Sequence, residues 1–270
     1  MPELPEVETT RLGLRPRLLG RTLTRMEIRN PSLRWPVPND LEARLKGQTL
    51  IELSRRGKYL LFDFGPVTQL VHLGMSGSLR FAGPDEPAAL HDHIDWVFDD
   101  GTTLRMRDPR RFGTVLWSET PAQHPLLAHL GPEPLTEAFD AATLYAQCQR
   151  RSAAIKQVIM DAGTVVGVGN IYASESLFHA GIRPTISARR LSRPACAKLA
   201  TAIKHVLTAA IAAGGSSLRD YVHSSGELGY FQLQTQVYDR EGLPCKACKG
   251  LIRRIVQGQR ASFYCPTCQR

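Results

Sequence analysis

Four cysteines near the C-terminus place the strongest constraint on how this chain can fold. They form two Cys-x2-Cys pairs separated by sixteen residues: Cys245, Cys248, Cys265 and Cys268. Two such pairs at this spacing predict one tetrahedral zinc ion held by four thiolates. Because four protein ligands leave no open coordination position, the site is expected to be structural rather than catalytic.

The residues between the two pairs predict a β-hairpin that the zinc clamps. Residues 251–256 and 261–265 have strand composition, and 257–260 join them. From Cys245 to the end of the chain there are six lysines and arginines and no acid. In this basic setting Arg260, near the tip of the hairpin, is interpreted as a phosphate contact rather than an ordinary solvated turn arginine.

The overall charge indicates a polyanionic partner. The 270 residues carry a formal net charge of +9, which favours nucleic acid or an anionic membrane surface. No run of about 18 apolar residues occurs, and no basic amphipathic helix or lipidation signal supports the membrane alternative. The remaining cysteines, Cys148 and Cys196, stand alone, so the cysteine pattern indicates metal ligands in a reducing cytosol and not a disulfide scaffold.

The first 130 residues predict one helix followed by a β-sandwich or barrel. Residues 4–14 have the pattern of an amphipathic helix ended by Pro16 and Gly20. After it, alternating segments predict strands, with hairpin turns at Gly65-Pro66 and Asp99–Gly101. The predicted strands are 22–29, 49–53, 59–64, 68–73, 78–81, 94–98 and 102–106.

A Pro/Gly-rich linker is predicted at 131–138, and the residues after it have helix-forming composition. We expect helices over 139–159, 172–180 and 196–213, in a domain that extends to residue 235 and precedes the zinc finger at 236–270. The uncharged, glycine-rich 162–171 segment is either a tight helix connection or a phosphate site at a helix N-terminus. The long 214–230 segment predicts a functional loop or a disordered one.

The N-terminal sequence Met-Pro-Glu-Leu-Pro-Glu has a chemical interpretation and a structural one. If Met1 is removed, Pro2 carries a free secondary amine, and at neutral pH an α-amine is far more often unprotonated than a lysine. Glu3 lies next to it and can move protons, so the pair suggests Schiff-base chemistry on a sugar or carbonyl. Alternatively, proline and acids simply begin a helix.

Six motifs, in order along the chain, resemble those of the bacterial formamidopyrimidine-DNA glycosylases, which excise oxidised purines. They are PELPEVE at the start, RGKY at 56–59, HLGMSG at 72–77, DPRRFG at 108–113, GNIYA at 169–173 and the four-cysteine finger. The resemblance covers essentially the whole chain. It implies an α+β fold of two domains: an N-terminal helix with a β-sandwich, and a helical domain with a helix-two-turn-helix motif and a zinc-finger hairpin, with DNA held in the cleft between them.

The resemblance implies four catalytic roles. Pro2 would attack C1′ of the damaged nucleotide and form an imine, and Glu3 would act as the proton donor. Lys58 would contact a phosphate and donate a proton in β-elimination. Arg260 would bind a phosphate and donate a proton in δ-elimination.

It also implies how the damaged base is reached, since a base inside a duplex must be extruded first. Met75, Arg110 and Phe112 match the residues that the family inserts as a plug, as a cation facing the orphaned cytosine, and as a wedge. The expected backbone contacts are His72, Asn170, Tyr238 and Arg260.

A lesion pocket is expected around Glu6 and the 214–230 loop, with Ser216, Ser217 and Tyr221 as candidate contacts. The loop departs from the family pattern, because Glu227-Leu228 stands where Lys-Pro is expected before the last glycine. Two alternatives stand beside this expectation: an oxidised-pyrimidine glycosylase like endonuclease VIII, and a zinc-finger DNA-binding protein without catalysis. We expect a bacterial cytoplasmic monomer that acts on damaged double-stranded DNA at the nucleoid, with one structural zinc and no membrane partner.

Overall fold

The computed structural model describes residues 2–83, 85–215 and 235–270. Contacts between Cα atoms divide these residues into two compact units. The first unit contains residues 2–128 with Gly214 and Gly215, and the second contains 129–213 with 235–270. Each unit is described by itself.

The first unit is built from two four-stranded sheets and a long N-terminal helix. Its helices are α1 (Leu4–Leu18), α2 (Leu41–Leu45) and α3 (Pro125–Ala128), with a 3-10 turn at Pro121–Gln123. Its strands are β1 (Leu23–Ile28), β2 (Glu52–Arg56), β3 (Tyr59–Asp63), β4 (Thr68–His72), β5 (Ser78–Ala82), β6 (Asp92–Phe98), β7 (Thr103–Arg107) and β8 (Thr114–Ser118). The sheet orders are β2-β3-β4-β8 and β1-β6-β7-β5, and all pairs are antiparallel.

One hydrophobic core joins the two sheets and the helix. Alternate residues of the strands point inward, as the period of a pleated strand requires, and α1 packs its buried side chains against β2 and β3. The core includes Val7, Leu14 and Leu18 of α1, Leu53, Leu60, Phe62, Val71 and Val115 of one sheet, and Met26, Ile94, Trp96, Leu104 and Met106 of the other. The predicted helix with a β-sandwich is confirmed.

Two elements of this unit have bounds that differ from the sequence prediction by three residues or more, and one strand was not predicted. Helix α1 continues to Leu18 with Pro16 inside it, so the proline does not end the helix. Strand β2 begins at Glu52 rather than Thr49, because its register is set by the two-residue turn that joins it to β3. Strand β8 was not predicted, and it completes the first sheet by pairing with β4.

A buried ion cluster stabilises the second sheet of this unit. Arg105 on β7 donates to both carboxylate oxygens of Asp95 on β6 at 2.8 Å each, and Arg29 donates to Asp95 at 2.6 Å. Burial would raise the pKa of Asp95, but the hydrogen bonds from Arg105 and Arg29 outweigh it and lower the pKa. The carboxylate is therefore ionised at neutral pH and satisfies the Arg105 guanidinium, which is 5% exposed.

We predict that Asp95→Asn lowers the free energy of unfolding by about 3 kcal/mol, because it removes the nearest counter-charge of a buried guanidinium and leaves only the more distant carboxylates of Asp92 and Glu86. Urea unfolding followed by circular dichroism measures this loss. Glu52→Gln removes an exposed carboxylate paired with Arg15 and should change stability far less. Equal losses in the two variants would contradict the role assigned to the buried cluster.

The second unit combines helices with a two-stranded hairpin. Its elements are α4 (Ala141–Gln149), α5 (Ile155–Met160), α6 (Asn170–Ala180), a 3-10 turn at Ala188–Arg190, α7 (Arg193–Ala212), β9 (Arg253–Gln257) and β10 (Arg260–Tyr264). Helix α7 packs between α4 and α6 through one buried face. Two turns in 161–169 join α5 to α6, which is the helix-two-turn-helix arrangement expected from the sequence.

The single helix predicted over 139–159 is wrong, because the chain breaks it into α4 and α5. Residues 151–154 lie between the two helices, and the 151–156 segment pairs with residues 184–189. Ala154 bridges Ser187, the Ile155 N–H donates to the Ile186 carbonyl, and the Ala188 N–H donates to the Ala153 carbonyl. Tertiary pairing thus overrides the local helix preference here.

Among the described residues, α7 alone is long and apolar enough to cross a membrane by length and composition. The core helix of a soluble protein passes the same test. Eight residues of α7 are buried against the rest of the unit. This finding is weak evidence for a membrane span.

Candidate nucleic-acid interface

The beginning of α1 holds Pro2, Glu3 and Glu6 in a fixed arrangement. Glu3 is the N-cap of the helix and forms a capping box with Glu6, in which the Glu3 N–H donates to Glu6 Oε2 at 2.8 Å. All three residues are buried, and Glu6 is completely inaccessible. The residue that carries the proposed amine therefore directly precedes a capped helix, with two carboxylates next to it.

The two glycines that precede the 216–234 segment lie in the first unit. A Cβ atom at Gly215 would come within 3.1 Å of Glu6 Oε1, so the Gly215 backbone packs directly on this carboxylate. The start of the expected lesion loop is thus next to Glu6. Ser216, Ser217, Tyr221 and Glu227-Leu228 lie outside the described residues.

Lys58 lies in the two-residue turn of the β2–β3 hairpin, after Gly57. The hairpin is attached to α1 by Arg55, which donates to Glu8 at 2.8 Å and to the Gly57 carbonyl at 2.8 Å. Burial would raise the pKa of Glu8, but hydrogen bonds from Arg11 and Arg55 outweigh it and lower the pKa. An ionised Glu8 thus fixes the β2–β3 hairpin, which carries Lys58, to helix α1, which Pro2 precedes.

His72 ends β4, opposite Tyr59 in the sheet, and is a neutral hydrogen-bond donor. Burial lowers its pKa to about 4, and the positive charges of Lys58 and Arg34 act in the same direction. The Gly74 N–H donates to His72 Nδ1 at 3.0 Å, so the ring proton is on Nε2. A neutral Nε2–H can donate to a phosphate oxygen without a net charge on the ring.

We predict that the His72 ring titrates near pH 4 in the folded protein, and that Lys58→Gln and Arg34→Gln each raise this pKa, because each removes a nearby positive charge. NMR titration of the imidazole signals measures the pKa. Between pH 6.5 and 4 the unfolded chain binds this proton more tightly than the folded protein, so the contribution of His72 to stability falls as the pH falls through this window. An unchanged pKa in both variants would contradict the arrangement.

Two loops that carry Met75, Arg110 and Phe112 are locked together by the buried carboxylate of Asp108. Ser76 Oγ donates to Asp108 Oδ1 at 2.9 Å, and the Gly113 N–H donates to Asp108 Oδ2 at 2.7 Å. Gly74 has a φ of +62°, and a Cβ atom there would lie 2.4 Å from the Phe112 carbonyl carbon. Only glycine allows both this backbone conformation and this close approach.

The three side chains that the resemblance implies enter DNA are exposed on these loops. Met75 is 38% and Phe112 is 40% exposed, and the Arg110 guanidinium lies 5.1 Å from the centre of the Phe112 ring. Large apolar side chains on rigid, exposed loops are typical of an interaction surface. The first unit thus brings this set together.

In the second unit a buried lysine links Asn170 to the strand of Arg260. Lys156 Nζ donates to Asn170 Oδ1 at 2.7 Å, to the Ala261 carbonyl at 3.0 Å and to Ser262 Oγ at 2.8 Å. Three acceptors match the three N–H donors of an ammonium. Arg260 itself is exposed and begins β10, next to Ala261.

The same lysine determines how Asn170 can contact an anion. Because Asn170 Oδ1 accepts from Lys156, the amide presents its Nδ2 donors on the other side. Asn170 is the first residue of α6, whose N-terminal backbone dipole also favours a negative charge. The arrangement is suited to a phosphate, which is the ligand that the resemblance implies for Asn170.

Tyr238 is positioned by a second buried carboxylate. Glu175 on α6 accepts the N–H groups of Gln236 at 2.8 Å, Val237 at 3.0 Å and Tyr238 at 2.8 Å. The Tyr238 ring packs edge-on against Phe263 of β10 at 5.2 Å. The expected backbone contact is therefore held between α6 and the zinc-finger hairpin.

The four C-terminal cysteines have the geometry of a zinc site. Their ligand atoms all lie within 4.8 Å of one another, with Cys248 and Cys265 sulfurs 3.4 Å apart and Cys245 and Cys268 sulfurs 3.9 Å apart. A zinc–sulfur bond of about 2.3 Å in a tetrahedron requires sulfur–sulfur separations of about 3.8 Å. One structural zinc fits these residues, and the predicted zinc hairpin is confirmed.

We predict that Cys268→Ala removes the zinc, unfolds the β9–β10 hairpin and weakens DNA binding, because folding of such a finger depends on its metal. Zinc per chain, measured by mass spectrometry, checks this outcome. Cys196→Ala removes a buried thiol outside the finger and should retain one zinc. Full zinc content in Cys268→Ala would argue against a four-thiolate site.

Sequence reasoning missed three residues that hold this candidate site together: Asp108, Lys156 and Glu175. Lys156 and Glu175 each interrupt an apolar helix pattern, at Ile155–Met160 and in the buried part of α6. A charged residue on an apolar face indicates a buried partner, and this signal could have identified both. Asp108 is part of the DPRRFG motif, in which only Arg110 and Phe112 were assigned roles.

Comparison with known proteins matches three family models along the chain. Residues 1–115 match the formamidopyrimidine-DNA glycosylase N-terminal domain, and 130–222 match the H2TH domain of the same glycosylase. Residues 242–270 match the zinc finger found in FPG and isoleucyl-tRNA synthetase.

Curated and solved relatives cover the full chain. A protein of Thiobacillus denitrificans named formamidopyrimidine-DNA glycosylase is 76% identical over 270 residues, with both chains fully covered. The MutM (FPG) structure of Thermus thermophilus is 40% identical, with a TM-score of 0.90 over 99% of this chain and 98% of that one. A Lactococcus lactis FPG complex with DNA that contains an abasic site is 34% identical, with a TM-score of 0.92 over 99% of both chains.

Proposed function

Since this chain belongs to the formamidopyrimidine-DNA glycosylase family, we propose that its chemistry is performed by the amine of Pro2, exposed by removal of Met1. The protein is a DNA glycosylase of base excision repair, and its partner is damaged double-stranded DNA. AP lyase activity is typical of this family. The burial of Pro2, Glu3 and Glu6 at the start of a capped helix carries the proposal.

The neutral Pro2 amine attacks C1′ of the damaged nucleotide. A bond forms between the proline nitrogen and C1′, the glycosidic bond breaks, and the base leaves with the bonding electrons and takes up a proton. The amine loses its proton, the sugar ring opens, and an iminium ion remains between Pro2 and C1′. This cation makes the C2′ protons acidic, which permits elimination of the neighbouring phosphate.

Glu3 donates the proton that the sugar ring oxygen needs when the ring opens. The support for this role is that Glu3 is the neighbour of Pro2 in sequence and is buried beside it. The N–H of Glu3 donates to Glu6, so Glu6 fixes the backbone that carries the acid. Glu6 also lies close to Gly215, which makes it the candidate link between the acid and the proposed lesion contacts Ser216, Ser217 and Tyr221.

The substrates that we propose are duplexes with 8-oxoguanine or formamidopyrimidines. A solved relative from Lactococcus lactis, 34% identical, is bound to DNA that contains Fapy-dG. Lys58 and Arg260 are the proposed proton donors of the β- and δ-elimination steps. Both are cations, so both also stabilise the phosphates that leave.

DNA is proposed to bind through phosphate contacts and through insertion into the gap that the extruded base leaves. Met75, Arg110 and Phe112 fill the gap, and Arg110 faces the orphaned base. The proposed phosphate ligands are Lys58, His72, Asn170, Tyr238 and Arg260. Each phosphate that a cation neutralises releases counterions, so binding should weaken steeply with salt.

We also propose the domain division of the sequence analysis: 1–130 as the catalytic domain, 131–138 as the linker, 139–235 as the helical domain and 236–270 as the zinc finger. The protein is proposed to act as a monomer. Its activity on DNA is consistent with a cytoplasmic location, and the finer proposal is association with the nucleoid.

We predict that borohydride traps a covalent complex between the protein and a duplex with an abasic site, because reduction of the iminium makes the bond between Pro2 and C1′ permanent. Denaturing electrophoresis detects the complex, and peptide mass spectrometry locates it on Pro2. Intact mass must first show that Met1 is absent.

A chain with one residue inserted ahead of Pro2 is the matched control, because it keeps the fold and removes the secondary amine. It should bind the duplex and give no complex. A complex on a lysine, or none from the processed protein, would overturn the mechanism.

A further inference from the structure

Three arginines line one open pocket of the first unit, next to the proposed insertion loops. The pocket is lined by Ser32, Leu33, Arg34, Arg110, Arg111 and Phe112. No acid is among these residues, and none of the three arginines forms an ion pair within the described parts of the chain. Three guanidinium groups without a counter-charge create a strong local preference for an anion.

The segment that carries Arg34 is held rigidly against the insertion loop. Leu33 and Val37 are buried on either side of it, and their N–H groups both donate to the Pro31 carbonyl. The Arg34 N–H donates to the Gly113 carbonyl at 3.1 Å. Arg34 is thus an exposed side chain on a fixed backbone, directly attached to the loop of Arg110 and Phe112.

Arg111 is held in a backbone conformation that side chains rarely adopt. Its φ is +54°, and its N–H donates to the Asp108 carbonyl at 3.2 Å. A non-glycine residue in this region costs free energy and persists only where its surroundings impose it. Asp108, which also locks the two insertion loops, therefore determines the position of Arg111.

The chemistry of the pocket indicates a phosphodiester. Guanidinium groups present several N–H donors in a plane and bind phosphate oxygens through paired hydrogen bonds. The pocket is open to solvent, as a continuous nucleic-acid backbone requires and an enclosed small-molecule site does not. Neither Arg34 nor Arg111 is a proposed catalytic group; Arg34 has been assigned only its effect on the pKa of His72.

We propose that this pocket binds a backbone phosphate of the strand opposite the lesion, with Arg34 and Arg111 as its ligands. The choice of strand rests on the proposed function, since Arg110 and Phe112 share the pocket and are the residues proposed to meet the orphaned base. A phosphate bound here would hold the undamaged strand while the damaged nucleotide leaves the stack.

Arg34→Gln and Arg111→Gln test the site in the full-length, zinc-loaded protein with an abasic-site duplex. Each variant should weaken binding about tenfold near 0.1 M salt, since one charged hydrogen-bonded contact is lost. Each should also reduce the slope of log affinity against log salt by about 0.9. Arg25 is an exposed arginine of β1 outside the pocket. The Arg25→Gln variant is therefore the matched control for loss of one charge, and it should change the affinity for DNA far less.

Neutral methylphosphonates identify the strand. One substitution in the undamaged strand, close to the orphaned base, should weaken binding of the unmodified protein and abolish the further effect of Arg34→Gln. The same substitutions in the damaged strand should leave that effect intact. If only damaged-strand substitutions abolish it, or if the salt slope does not change in either variant, the proposal is wrong.

The test separates this proposal from the catalytic one. At saturating DNA, Arg34→Gln should still give the full borohydride-trapped complex, because Pro2 is unchanged. Absence of trapping in the unmodified protein would overturn the Pro2 mechanism and leave the salt slopes to decide the phosphate site. Normal trapping with unchanged slopes would overturn the phosphate site alone.

Discussion

The cost of removing a charge from water governs how this protein positions its functional residues. A buried ion must be satisfied by several hydrogen bonds at once, so it can exist only where several chain segments meet in one geometry. Asp108 accepts from Ser76 and Gly113, Lys156 donates to three oxygens, and Glu175 accepts three N–H groups. If one segment moved, an unpaired charge would remain buried.

These buried ions lie behind the residues proposed to contact DNA. The loops of Met75 and Phe112 depend on Asp108, Asn170 depends on Lys156, and the Tyr238 segment depends on Glu175. Exposed side chains gain little free energy from packing, and a loop that carries them is mobile unless its backbone is fixed from inside. A site must hold its groups to within about 0.5 Å, and buried polar networks supply that precision on surfaces where apolar packing is absent.

A feature of this structure could be predicted from the sequence when the residues that determine it are close together along the chain. The zinc ligands and most strands of the sandwich were predictable, because spacing and alternation are local signals. The break between α4 and α5 was not, since it depends on pairing of 151–156 with residues thirty positions later. Strand β8 was not predicted from the sequence, and strand β2 was predicted three residues too early. Exposed site residues belonged to recognisable motifs, whereas Lys156 and Glu175 acquire their function only from partners distant in sequence.

Charge and hydrogen bonding are divided between different residues at the candidate phosphate contacts. Lys58, Arg34 and Arg260 supply positive charge, which attracts DNA over a distance and is screened by salt. His72 stays neutral because burial and the charges of Lys58 and Arg34 lower its pKa, and Asn170 is neutral by nature. Neutral donors such as these make phosphate binding directional, and they add no repulsion between cations in the free protein. Lys58 and Arg34 can therefore lie close to a neutral His72. A neutral donor can give a hydrogen bond to a phosphate oxygen without repelling the neighbouring cations.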